Sequence, residues 1–145
     1  MKKPLLFLGA DHAGFELKEK LKADLLHQGY EIYDLSPRFK KDDDYPIHAK
    51  KVALAVSKTP GSMGVLACGS GVGVSIAANR VKGARAFDAH DEKETKLARE
   101  HNDANVIALS GWKLSEKEAL ALVKTFLKTK ASGAERHRRR VGQLG

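Results

Sequence analysis

The only cysteine of this 145-residue chain, Cys68, stands in the stretch ACGSGVGVSIAANR (67–80), directly before the alternating glycines Gly69, Gly71 and Gly73. The run before it, Ser62–Ala67, is mostly apolar and reads as a short buried strand. After it, Val72, Val74, Ile76, Ala77 and Ala78 read as the first turns of a helix. A thiol at that junction faces backbone N–H donors and the positive end of a helix dipole, a setting that can stabilise a thiolate. Position alone is equally compatible with a small core cysteine. The glycines add to the functional reading, because a tight turn needs about one, whereas an alternating set suits close backbone approach to an anion. They do not form a dinucleotide fingerprint, since Val74 stands where the next glycine would fall, and no phosphate-loop lysine follows.

The other candidates for chemistry are histidines and arginines. His12, in GADHAG, follows a predicted strand end, and His101, in EHNDANV, lies between a helix and a strand. Taken singly, each reads as a solvated loop residue. The spacing of His12, His48, His90, His101 and His137 offers no compact metal-ligand pair, and there is no second cysteine, so a metal site is disfavoured. Residues 136–140 read RHRRR. A basic tail is often merely solvated, but clustered arginines beside histidines suit a small phosphorylated molecule.

Short apolar runs separated by helical periodicity must position these groups. Strands are expected at Leu5–Leu8, Tyr30–Leu35, Ser62–Cys68, Ala84–Ala89 and Asn105–Ser110. Helices are expected over Gly14–His27 (Leu17, Leu21 and Leu25 on one face), from Pro46 through Val56, after Cys68, over Asp91–Glu100 and over Ser115–Lys128. Ser115 and Glu118 have capping-box spacing, and SPRFKKDDDYP reads as a loop. Strands alternating with helices predict an α/β, Rossmann-like three-layer fold with a five-stranded parallel sheet. Ligands of such sheets bind beyond the strands' carboxyl ends, which here carry Asp11 and His12, Cys68–Gly73, and Asp88–His90. Residues 1–130 form one domain. Residues 131–145 form a basic tail with little hydrophobic periodicity, expected to leave the domain body and contribute to a subunit interface.

The totals agree with one globular domain: 42% of residues are hydrophobic and 30% charged, enough for a core without disulfides. A lone cysteine and the lack of any membrane-length apolar run predict a cytoplasmic protein without membrane partners. The net charge of +8 raises the question of nucleic acid, which is disfavoured because no aromatics interleave with the basic run.

GADHAG, DYP (44–46), CGSGVGVSIAANRVKGARA (68–86), HNDANV (101–106) and ERHRRRV (135–141) together resemble the ribose-5-phosphate isomerase B family, which includes allose-6-phosphate and galactose-6-phosphate isomerases. The resemblance runs in order over nearly the whole chain. It implies a Rossmann-like enzyme with no metal or organic cofactor, acting as a homodimer or homotetramer whose active site is completed across the subunit interface. It also implies aldose–ketose isomerisation of a sugar phosphate through a cis-enediolate. By the same resemblance Cys68 is the base, Ser70 shuttles protons between the two oxygens, and His101 opens the sugar ring. The amides of Gly69, Gly71 and Gly73 face the enediolate oxygens, Asp11 and Asn102 bind hydroxyls, and Tyr45 lines the pocket. His12, Arg136 and Arg140 match phosphate ligands, with His137 among them. One position departs: many members carry an arginine about eleven residues after the histidine of the HN pair, where this chain has Trp112 with Lys113 beside it. The expected reaction is therefore ribose 5-phosphate to ribulose 5-phosphate. Its rivals are the same chemistry on allose 6-phosphate or galactose 6-phosphate, and a non-catalytic sugar-phosphate binding module.

Overall fold

Alternate residues of a strand face opposite sides of its sheet, so a strand covered on both faces is apolar throughout. In the computed structural model, which describes residues 2–145, this holds for β1 (Leu6–Ala10), β3 (Met63–Cys68) and β5 (Val106–Ser110). Leu6, Leu8, Val65, Ala67, Ile107 and Leu109 face the side covered by α1 (Phe15–His27) and α5 (Glu116–Lys128). Phe7, Leu66, Cys68, Val106 and Ala108 face α2 (Tyr45–Lys58) and α3 (Val72–Ala78). With β2 (Ile32–Asp34) and β4 (Ala86–Asp88) at the edges, the parallel sheet runs β2-β1-β3-β5-β4, as expected of an α/β three-layer fold. α4 (Glu92–Asn102) links β4 to β5.

The boundaries differ from expectation where pairing decides them. β1 continues past Leu8 because Gly9 and Ala10 pair with Leu66 and Ala67 of β3. β2, an edge strand, pairs with β1 only from Ile32 to Asp34 and is shorter than Tyr30–Leu35. The C-terminal segment, expected to leave the body, forms α6 (Glu135–Gly142), which packs on α4 of its own chain and buries His137. An Arg139–Glu135 ion pair one turn apart supports that helix.

From β1 the order runs one way to β2, and from β3 the other way to β5. The connections diverge there and leave a crevice beyond the C-terminal ends of β1 and β3. A buried cation stiffens its flank: Lys18 Nζ is 2.7 Å from both Asp34 Oδ2 and the Ser36 carbonyl. No helix among the described residues is long and apolar enough to cross a membrane.

Candidate active site

Cys68 ends β3 and is 4% exposed, and its Sγ accepts the N–H of Gly71 at 3.1 Å. Gly71 can present that N–H because it caps α3 with φ of +83°, and a Cβ there would overlap the Asp88 carboxylate. The Ser70 hydroxyl accepts the N–H of Val72 at 3.1 Å, which leaves its own proton free to donate. The Gly69 carbonyl accepts from Ser110 Oγ and from the Trp112 N–H, so the turn after β5 is tied to the cradle.

From β1, Asp11 is buried and its Oδ1 accepts the N–H groups of Ala13 and Gly14, both at 3.0 Å. One cavity of about 430 Å³ brings together Asp11, His12, Tyr45, Cys68, Gly69, Ser70 and Gly73, with Trp112 at its edge. Tyr45 lies over Gly73, where a Cβ would come 2.6 Å from the phenol ring. The indole of Trp112, 75% exposed, lies against Gly69. The position that departs from the resembling family therefore borders the thiol's cavity.

The remaining predicted residues stand elsewhere in the chain. His101 and Asn102 are exposed at the end of α4, and Asn102 lines a separate cavity with Asn79, Phe87 and Leu144. His101 stacks on His137 with ring centroids 4.3 Å apart, and both border a cavity of about 170 Å³ between α4 and α6. Burial holds the His137 pKa below the ordinary imidazole value, and the charges of His101, Arg136 and Arg140 lower it further. Arg136 and Arg140 are exposed one turn apart on α6. One chain thus carries two groups of candidates: the thiol with its cradle, and the His101 group with the arginines.

Sequence reasoning missed Asp43, His48 and Ser36, which hydrogen-bond behind His12. Their one visible signal was the acidic run before Tyr45, which read as loop. Asp88, flagged only by its strand-end position, has a pKa raised by burial, an effect partly offset by His90 and Lys113. Asp11, His12 and Asp43 place one potential ligand atom each within 4.8 Å of one another. Their geometry is that of a hydrogen-bonded cluster, because Asp11 Oδ1 and both Asp43 oxygens already face donors.

Residues 6–144 match the family described as Ribose/Galactose Isomerase. The chain is 44% identical over 140 residues to ribose-5-phosphate isomerase B of Mycobacterium tuberculosis, covering 96% of this chain and 86% of that one. It is 39% identical over 133 residues to the Escherichia coli protein of the same name, covering 92% and 89%. The crystal structure of ribose-5-phosphate isomerase B from Mycoplasma genitalium with bound ribulose-5-phosphate superposes with a TM-score of 0.91 at 40% identity, covering 96% of this chain and 92% of that one. The Thermotoga maritima structure gives 0.92 at 40% identity, covering 99% and 98%.

Proposed function

The chain belongs to the ribose/galactose isomerase family, and we propose that it interconverts ribose 5-phosphate and ribulose 5-phosphate through a cis-enediolate, with Cys68 as the base. The observation that carries this reading is the Cys68 sulfur, held by the Gly71 N–H at a cavity lined with hydroxyl-binding groups. An N–H donor aimed at sulfur stabilises the negative charge that a base must carry. Cys68 takes the proton from C2 of the open-chain aldose and returns it to C1. Meanwhile the hydroxyl proton on O2 passes to O1, with Ser70 as the shuttle. Charge developing on the two oxygens faces the amides of the Gly69–Gly73 turn, where fixed donors act without reorganising. Asp11 and Tyr45 hold the sugar, and His12 takes its phosphate.

His101 opens the furanose ring, Asn102 binds a hydroxyl, and Arg136, Arg140 and His137 complete the phosphate site. These residues do not share a cavity with Cys68 in one chain, so the reading requires a homodimer, or a tetramer built from such dimers. Ile47 and Leu54 of α2 and Val72 and Ile76 of α3 are all exposed, and Val72 and Ile76 also border the Cys68 cavity. A second copy seated on that apolar face covers it and brings its own side chains to the thiol. No feature of the cavity favours a six-carbon phosphate or a non-catalytic role. The test is turnover of ribose 5-phosphate by Cys68→Ala. General-base catalysis is worth about 10²–10⁴-fold, so kcat should fall by that order with KM little changed. A kcat near wild type would return Cys68 to the core.

A further inference from the structure

The segment between β2 and α2 reads as a solvated polar loop, yet the Asp43 side chain within it is only 8% exposed. Both of its oxygens are engaged. Oδ1 accepts the backbone N–H of His12 at 2.7 Å and lies 3.2 Å from His12 Nδ1. Oδ2 lies 2.8 Å from His48 Nε2. His48 Nδ1 lies 2.6 Å from Ser36 Oγ, which accepts the backbone N–H of Ala10 at 3.2 Å. Four side chains from the β1 turn, the loop and α2 thus form one hydrogen-bonded line that begins and ends at the C-terminal end of β1.

The donors and acceptors along this line order themselves. The Asp43 carboxylate can only accept, so His48 Nε2 carries the N–H that donates to Oδ2. In the neutral ring Nδ1 is then the acceptor, and the Ser36 hydroxyl, which accepts from Ala10, donates to it. Asp43 Oδ1 then receives the Nδ1–H of His12. The other nitrogen of that ring, Nε2, has no partner among the described residues, and His12 borders the thiol's cavity.

We propose that Asp43, fixed by His48 and Ser36, is a positioning residue that holds His12 oriented and cationic, so that its Nε2–H grips the sugar's phosphate. The proposal rests on reading His12 as a phosphate ligand. The surroundings make the device necessary. His12 is faced by Asp11 from its own turn and by Asp42 and Asp43 from the loop, with His48 behind Asp43 and Tyr45 and Cys68 along the cavity. A phosphate dianion beside those carboxylates is repelled unless a fixed cation stands between. A charged N–H also binds phosphate about twice as strongly as a neutral one. The electrostatics agree: the hydrogen bond to Asp43 raises the His12 pKa against burial, and Asp11, Asp43 and Asp42 add to it. Burial would raise the Asp43 carboxyl, but the His12 N–H and the His48 and His12 rings bring it below its ordinary value.

The test follows the His12 ring by NMR titration and KM for ribose 5-phosphate across pH, in wild type and Asp43→Asn. In wild type His12 should titrate above the ordinary value of about 6.5, and in Asp43→Asn lower than in wild type. KM should rise about tenfold in the variant above the wild-type His12 pKa, and the two enzymes should converge in acid. The phosphate's second ionisation near pH 6 is common to both and cancels. A wild-type His12 at or below the ordinary value overturns the proposal without any variant. So does an unchanged His12 pKa in Asp43→Asn. If the pKa falls but the KM profile does not move, the proposal is refuted, and His12→Ala locates the fault. A raised KM in His12→Ala removes only the role of Asp43, whereas an unchanged KM removes His12 from the phosphate site.

Discussion

The roles proposed for Cys68 and His101 need opposite surroundings, and each residue has them. A base that removes a carbon-bound proton works best where fixed donors replace water, and Cys68 is buried against the Gly71 N–H. A ring-opening acid–base group must reach a sugar arriving from solvent, and His101 is exposed, with only its stack on buried His137 to orient it. This division predicts how His101→Asn should fail. Ribulose 5-phosphate is open-chain, because its phosphate blocks closure, whereas ribose 5-phosphate is mostly a closed ring. At rising enzyme concentration, the variant's rate on ribose 5-phosphate should level off at the speed of spontaneous ring opening. Its rate on ribulose 5-phosphate should stay proportional to enzyme. Rates proportional to enzyme on both substrates would take His101 out of ring opening.

At the scale of elements, the cavity exists because α1 starts almost on top of the end of β3. A Cβ on Gly14 would overlap the Ala67 carbonyl and come 2.7 Å from Cys68 N, both backbone atoms that cannot swing aside. Gly14→Ala must therefore push α1 away from β3 and Asp11 away from Cys68. Overpacking of this kind costs roughly 1–3 kcal/mol, readable as a lower urea midpoint, with kcat/KM falling as well. Ser115→Ala is the control: it removes the capping box of α5 for about 1 kcal/mol and should leave the kinetics alone. An unaltered kcat/KM in Gly14→Ala would mean that this close approach does not set the site. Such contacts also mark where sequence reading stops. β1, β3 and β5 were legible because both of their faces are covered, and the start of α5 because its cap lies within four residues. α6 was not legible: ERHRRRVG buries only His137, too little for a periodic signal. The His12–Asp43–His48 line was not legible either, because it joins residues up to 31 positions apart through hydrogen bonds that leave no hydrophobic pattern.

For the whole molecule, the question is why one chain holds two incomplete groups. Of the strand ends expected to form the site, those of β1 and β3 meet in one cavity through Asp11, His12, Cys68 and Ser70, joined by Tyr45 of α2, whereas Asp88–His90 do not border it. His101, expected between a helix and β5, instead stands in the last turn of α4, which carries it to a different cavity. Sequence periodicity cannot register this, because it orders elements within a chain and is silent on a second copy. The exposed apolar residues Val72 and Ile76 of α3 border the Cys68 cavity, which is where a partner's α4 and α6 would have to arrive. In a two-fold dimer each site would take Cys68 from one chain and His101, Arg136 and Arg140 from the other. Cys68→Ala and His101→Asn should then complement. Alone, the first has lost nearly all of its activity and the second keeps only its residual rate on ribose 5-phosphate. Refolded together in equal amounts, half of the dimers are mixed, and each mixed dimer has one intact site out of two. Activity should therefore recover to about a quarter of wild type. If both groups served the same chain's site, every site would carry one of the two lesions, and the mixture would show no more than the average of its parents. The decisive quantity is the excess over that average, measured before and after co-refolding: its appearance places base and ring-opening histidine on different chains, and its absence places them on one.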